Sequence, residues 1–361
     1  MNWLELPAVK WILPIPVLFV IAPVVWWFFR GTWRELDADA ITIRRDLAAR
    51  GEIDYRPMVA LTLVTFILTF HEYYGRPDFY VRSIHGLIDE HVRAHPGSIW
   101  NLQRYDELYM RSWWGITRVA GYLLPLAVWP LFFRRDSLLD FGLRGRGFRA
   151  HAWIYALCVV VMIPVLLIVS SQPDFADYYP MYKQAGRSWL DFAIWEVVYL
   201  AQFFTLELFF RGFILRALRS FGAGAIFAMA VPYCMIHYGK PYLEASVAVI
   251  AGVVLGSLAM KTRSIYAGFL VHATVAVLMD VLALDRRHGL PSLLTPDSTR
   301  HLQFPNPQIL IWIAWALALV VLAAKVRRAW PELTAFFRGM RRRQAPVGAP
   351  APPDADVDQR T

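Results

Sequence analysis

The feature that most constrains the fold is the clustering of apolar residues into about nine runs of roughly 18 residues or more. As a helix, such a run matches the thickness of a bilayer's hydrocarbon core. Of the 361 residues, 57% are hydrophobic and only 18% are charged, which is too apolar a composition for a soluble domain of this size. The sequence therefore predicts a protein that is solvated by a membrane.

The predicted spans cover residues 11–29, 57–74, 114–133, 150–170, 188–211, 221–239, 243–260, 264–283 and 308–326. Backbone polar groups in lipid must be satisfied within the segment, and these runs lack the alternation of a membrane barrel, so helices are expected. The predicted fold class is all-α, a polytopic transmembrane helical bundle of about nine spans. Three regions are expected: N-terminal spans with basic loops (1–149), a membrane core with the final span (150–326) and a basic, then disordered tail (327–361).

The formal net charge of +9 arises largely from arginines that flank the apolar runs, and no nucleic-acid motif accompanies them. Arginines in these positions indicate how the chain is oriented in the membrane. No nucleic-acid partner is therefore expected. The predicted cytoplasmic loops carry Arg30, Arg34, Arg44, Arg45, Arg50 and Arg56 after the first span and Arg134, Arg135, Arg144, Arg146 and Arg149 after the third. This pattern predicts an integral membrane protein, in a bacterial inner membrane, with the N-terminus outside and the C-terminus in the cytoplasm.

Between Gly75 and Trp113, apolar residues recur at helical spacing among charged ones. This segment is expected outside, either as a helix lying flat on the membrane surface or as a small helical cap on the bundle.

Ionisable side chains inside spans are costly in lipid, so each is a functional candidate. Most lie in the second half of the chain: Glu196, Glu207 and Arg211 in the fifth span, His237 at the end of the sixth, Glu244 at the start of the seventh, and His272 and Asp280 in the eighth. The functional site is therefore predicted between these four helices.

Glu207 and Arg211 are four residues apart, so the guanidinium can hold the carboxylate ionised and oriented; a purely structural ion pair is the alternative. A carboxylate and two imidazoles, His237 and His272, can activate a water and stabilise an oxyanion. The same three residues would also make a passable zinc site, so a possible zinc ion stays open. Glu196 and Asp280 are predicted to line the cavity, and Glu244 to orient an imidazole or to sit at a helix N-terminus for structural reasons.

Three segments carry a resemblance to a known family: LELFFRGFILRAL, YCMIHYGKP and SIYAGFLVHATVAVLMD, with DFGLRGRG preceding them. Together they resemble the CAAX prenyl protease and bacteriocin-processing (CPBP, or Abi) family of intramembrane endopeptidases, with its EExxxR, FxxxH and HxxxN or HxxxB motifs. The resemblance covers roughly residues 188–281. It implies that Glu207, Arg211, His237 and His272 form the catalytic set.

The chain departs from the family pattern at three positions. Leu206 stands where the family has its first glutamate, Tyr233 stands in place of phenylalanine, and Ala276 stands at the asparagine position four residues after His272. Asp280 lies one turn further on, but an ionised carboxylate repels an oxyanion and cannot replace an amide.

The resemblance implies an endopeptidase that cleaves a membrane-associated or lipidated protein or peptide substrate, with membrane lipids as its surroundings. The alternative is a catalytically impaired member that acts as a membrane scaffold or binds hydrophobic partners. A proton-coupled transporter using Glu196, Glu207 and Asp280 is a weaker alternative, because no inverted repeat is visible.

Overall fold

A computed structural model describes residues 12, 14–145, 151–170, 173–240, 242–287, 313, 315–328 and 330. All regular structure in this part of the chain is helical, which confirms the predicted all-α class. The main helices are α1 (Pro14–Ala49), α2 (Arg56–Tyr74), α3 (Pro77–Ala94), α4 (Leu102–Phe132), α5 (Ala152–Val169), α6 (Pro173–Tyr178), α7 (Trp189–Ala217), α8 (Gly224–Met235), α9 (Tyr242–Thr262), α10 (Tyr266–Arg287) and α11 (315–328). Residues 308–312 of the ninth predicted span and most of the tail 327–361 lie outside the described residues.

Four helices are long and apolar enough to cross a membrane: Leu102–Phe132, Trp189–Ala217, Glu244–Thr262 and Tyr266–Leu284. A fifth span results if α2 and α3, which are bent by 53° at their junction, count as one. Nine spans are thus not confirmed within the described residues. One reason is visible in the run 221–239, where turns at Gly222 (φ 63°) and Gly239 (φ 86°) leave only the short helix α8.

The first predicted loop is largely helical. α1 continues beyond its apolar part to Ala49, so the arginines from Arg30 to Arg45 lie on a helix. This extension packs along the turn between α7 and α8, where Asp37 Oδ1 accepts a hydrogen bond of 2.8 Å from the Ala223 backbone N–H. The carboxylate thereby satisfies a backbone donor at the start of α8, a contact that hydropathy does not predict.

Helix α7 lies at the centre of the bundle. Its second half buries Phe209, Phe210 and Phe213 completely, against Tyr122 of α4 and Tyr233 of α8. Burial of each phenylalanine contributes about 1.5–3 kcal/mol to stability. This apolar packing holds the polar residues of α7 at a defined depth between α4, α8 and α10.

The segment 75–113 is helical as predicted, but α4 begins at Leu102, well before the predicted start at residue 114. Asn101 caps α4, because its side chain accepts a hydrogen bond of 3.0 Å from the Arg104 N–H. In α3, Val81 and Leu87 are exposed, which agrees with both the membrane-surface and the cap interpretation.

Candidate active site

Helix α7 begins with a local cap. The Ser188 hydroxyl accepts a hydrogen bond of 3.1 Å from the Asp191 N–H and donates one of 2.6 Å to the Asp191 carboxylate. The helix changes to π geometry over Leu208–Ile214, directly after Glu207, and every residue of that segment is buried. Such π segments are frequent at functional sites.

The Phe141 carbonyl lies against Gly212 within this π segment, where a Cβ atom would lie only 2.3 Å from the carbonyl oxygen. Phe141 itself is buried between Trp129 and Phe213. The DFGLRGRG segment, of which residues 146 and 147 lie outside the described part, thus packs against the π segment of α7. Only glycine at position 212 permits that contact.

Glu207 and Arg211 form an ion pair with 3.1 Å between Glu207 Oε1 and Arg211 Nη1, and both side chains are fully buried. The guanidinium also lies 3.9 Å from the centre of the Tyr233 ring, a cation–π contact. Because removing charges from water is costly, the pair depends on these partners.

His272 of α10 reaches the same carboxylate, with 2.7 Å between its Nδ1 and Glu207 Oε1. Its other nitrogen, Nε2, lies 3.1 Å from the Tyr233 hydroxyl. Gly268, one turn earlier on α10, allows this approach, because a Cβ atom there would lie 2.1 Å from Glu207 Oε2. Sequence reasoning missed Gly268, although a glycine four residues before a histidine in an apolar helix is a visible signal.

His237 lies in the turn after α8 and is half-buried. Its Nδ1 is 2.8 Å from the Tyr233 carbonyl oxygen, so Nδ1 carries the proton and Nε2 is the acceptor. Tyr233 therefore contacts both histidines, and the structure brings Glu207, Arg211, His237 and His272 into one connected group.

The other predicted residues lie around this group. Glu244 is held by Lys240 (2.6 Å) and by the Tyr179 hydroxyl (2.9 Å), while the Tyr233 carbonyl is what orients His237. The hydrogen bonds of Glu244 thus go to Lys240 and Tyr179 and not to an imidazole nitrogen.

Glu196 lies in the first half of α7, and Asp280 lies in the second half of α10. Asp280 Oδ2 accepts a hydrogen bond of 2.6 Å from Trp195 Nε1. Among the described residues, neither carboxylate oxygen of Glu196 has a hydrogen-bond partner. Glu196 precedes Glu207 by eleven residues, about 16 Å along a helix, so these two acids belong to a region separate from the Glu207 carboxylate.

The two apolar departures occupy packed positions. Leu206 is buried in the large cluster around α7, and Ala276 is buried among Trp195, Tyr199 and Leu108. An asparagine at 276 would be larger than alanine and would have to displace this packing, and a glutamate at 206 would put a carboxylate among apolar side chains.

The predicted zinc ligands do not form a ready metal site in the described part of the chain, where no three His, Cys, Asp or Glu side chains are grouped to hold one ion. Glu207 Oε1 is already bonded by His272 Nδ1, so this nitrogen faces the carboxylate and not a shared ion.

Comparison with known proteins gives one match. Residues 188–278, about a quarter of the chain, match the family described as Type II CAAX prenyl endopeptidase Rce1-like. No curated protein and no solved structure matches the chain significantly. The matched segment contains Glu207, Arg211, His237 and His272, and it coincides with the helices that build the site. The apolar helices and this match together indicate an integral membrane protein. The resemblance predicted from the three motifs is confirmed, because residues 188–278 match the model of the Type II CAAX prenyl endopeptidase Rce1-like family.

Proposed function

We propose that this protein is an intramembrane endopeptidase of the CAAX prenyl protease type, which hydrolyses a peptide bond in a membrane-associated or lipidated substrate. The observation that carries the proposal is the continuous chain of contacts from Glu207 through His272 and Tyr233 to His237. These residues come from α7, α8, the turn after α8, and α10. They meet in a largely buried place, where charged and polar groups are retained chiefly for function.

Two acceptors in this group suit an attacking water. Glu207 Oε2 has no hydrogen-bond partner among the described residues, and the tautomer of His237 makes Nε2 an acceptor. We propose that a water held by these two atoms attacks the substrate carbonyl carbon. Its proton passes to Glu207, and Glu207 returns that proton to the leaving amide nitrogen as the C–N bond breaks.

Arg211 holds Glu207 through Oε1, so Oε2 is left to act as the base. His272 bonds to the same oxygen, Oε1, and to the Tyr233 hydroxyl. The Tyr233–His272 pair therefore lies beside the base, where the pair can bind the tetrahedral oxygen. The products are a new carboxylate and a new amine.

The Glu207→Gln and His237→Ala variants test this proposal. We expect each to reduce cleavage by at least about 100-fold, because a general base or the residue that holds its water is lost. Cleavage is measured by mass spectrometry of new peptide termini in membrane extracts that contain the parent protein or a variant.

Glu52→Gln is the matched control, because Glu52 is an exposed glutamate outside the site. Cleavage that survives both site variants would contradict the assigned roles. A parent protein that cleaves nothing would favour the alternative of an impaired member that binds hydrophobic partners. Loss of cleavage with a chelator and its return with Zn²⁺ would favour the metal mechanism.

We further propose that the chain crosses a bacterial inner membrane about nine times with the N-terminus outside. Supporting this, Arg56 forms two hydrogen bonds of 3.0 Å with the Asp136 carboxylate, so the start of α2 and the end of α4 lie at the same end of the bundle. Burial raises the pKa of Asp136, but hydrogen bonds from Arg56 and Trp129 outweigh this effect and the pKa is lowered. The ion pair therefore persists at neutral pH.

Cysteine labelling tests the orientation. In a background lacking Cys158 and Cys234, we expect Arg50→Cys and Arg135→Cys to react with an impermeant maleimide only after cells are permeabilised. His95→Cys, in the segment expected outside, should react in intact cells. The opposite labelling pattern would contradict the proposed orientation, and labelling of Arg50→Cys and Arg135→Cys on different sides would contradict the shared end of the bundle.

A further inference from the structure

Tyr233 contacts three of the four candidate residues, each through a different group. Its hydroxyl lies 3.1 Å from His272 Nε2, its carbonyl oxygen 2.8 Å from His237 Nδ1, and its ring 3.9 Å from the Arg211 guanidinium carbon. The side chain is almost completely buried, so it is held rigidly among these partners. A tyrosine used only for packing would not need its hydroxyl in this position.

The nitrogens of His272 are both engaged within the protein. Nδ1 faces Glu207 Oε1, which as a carboxylate can only accept, so Nδ1 carries the proton and Nε2 is an acceptor. The Tyr233 hydroxyl therefore donates to Nε2 in the resting site. In this tautomer His272 has no proton to offer to a substrate oxygen, whereas the hydroxyl of Tyr233 does.

The position that would supply an amide donor on α10 has none. Ala276, four residues after His272, has no polar side-chain atom and packs among apolar residues. A tetrahedral intermediate at this site needs a donor aimed at its developing negative charge. Of the side chains joined to Glu207 and His272, Tyr233 has the neutral O–H group that can turn toward such an oxygen.

We propose that the Tyr233 hydroxyl is the oxyanion donor of this site, which rests on the proposed peptidase function. When the attacking water forms the tetrahedral intermediate, the hydroxyl rotates from His272 Nε2 to the anionic oxygen, which is the stronger acceptor. No proton is transferred in this step. The hydroxyl returns to Nε2 as the C–N bond breaks and the carbonyl re-forms.

The Tyr233→Phe variant isolates this role, because phenylalanine keeps the ring below Arg211 and the carbonyl bonded to His237. We expect kcat to fall by about 10²–10³-fold with KM within twofold, since the lost hydrogen bond is strong only in the transition state. The probe is an internally quenched, farnesylated CAAX peptide in detergent micelles. A peptide aldehyde, whose hydrate mimics the intermediate, should lose affinity by a similar factor.

Tyr238→Phe is the matched control, because Tyr238 lies in the neighbouring turn with a 74% exposed side chain. Glu207→Gln is assayed in parallel. If the parent is active, Glu207→Gln is inactive and Tyr233→Phe keeps kcat within threefold of the parent, the oxyanion role is overturned while the peptidase function stands. A parent that cleaves neither this peptide nor membrane substrates overturns both.

A change in KM alone would also overturn the oxyanion role, because it would place Tyr233 in substrate binding. If phenylalanine at 233 prevents folding, 3,5-difluorotyrosine at 233 keeps the shape and makes the hydroxyl a stronger donor. Equal aldehyde affinity for the fluorinated and parent proteins would then overturn the proposal.

Discussion

Replacing Gly268 with alanine is expected to reduce peptidase activity by about 100-fold or more and to lower the free energy of unfolding by about 1–3 kcal/mol. The added Cβ would lie 2.1 Å from Glu207 Oε2 and 2.9 Å from its carboxyl carbon. The Glu207 side chain cannot move away easily, because it is fully buried and is held by Arg211 and His272. The carboxylate or α10 must shift, and a shift of about 1 Å is enough to reduce catalysis by about 100-fold.

The matched control for this prediction is Gly31→Ala. Gly31 lies inside α1 and has no atom within 4 Å of the position that its Cβ would take. Alanine there should raise the free energy of unfolding by about 0.5–1 kcal/mol, because glycine weakens a helix interior. Reversible unfolding in mixed micelles measures stability, and the quenched peptide measures activity. Equal stability and equal activity of the two variants would contradict the close approach of α7 and α10 at Gly268.

Removing either partner of the Glu207–Arg211 pair is expected to destabilise the protein strongly, by about 3–5 kcal/mol for Glu207→Ala. The cost arises because Arg211 would then be a buried charge without a counterion, in a position where both side chains are fully buried. The double variant Glu207→Ala with Arg211→Met should be less destabilised than the sum of the single changes, since it leaves no unpaired charge.

The exposed pair Glu72 and Arg76 is the control, because it has the same spacing of four residues, with Glu72 in α2 and Arg76 just after the end of that helix. Its side chains are more than half exposed, so Glu72→Ala should produce no measurable change in stability. Additive effects at 207 and 211 would mean that the buried pair contributes little, and the ion pair would then be only a local consequence of helix geometry.

The site shows which relations a sequence can predict. Glu207 and Arg211 share one helix face four residues apart, so their pairing follows from local geometry. The contact of His272 with Glu207 connects residues far apart in the chain, and it was expected from the motif resemblance. The sequence places His237 at the end of the sixth predicted span but does not indicate which atoms of the other candidate residues it meets. In the structure the short helix α8 ends before His237, and Tyr233 connects both histidines.

Other features had no local signal. In the sequence Tyr233 is only a tyrosine in place of phenylalanine, because the role of its hydroxyl depends on how close His272 comes from another helix. The contact of Phe141 with Gly212 and the capping of α8 by Asp37 are likewise long-range. The hydrogen bond of Glu244 with Tyr179, which follows α6, is also long-range, whereas its pairing with Lys240 is local.

The sequence by itself determined the helical class, the membrane environment and the identity of the polar residues that a bilayer would otherwise exclude. These follow from the length and polarity of each segment, which are properties of the chain alone. The tertiary structure decided how long the helices are, and it decided which atoms of those polar residues meet. Helix ends and side-chain contacts depend on what packs against them, as Gly268 shows by admitting the Glu207 carboxylate from a neighbouring helix.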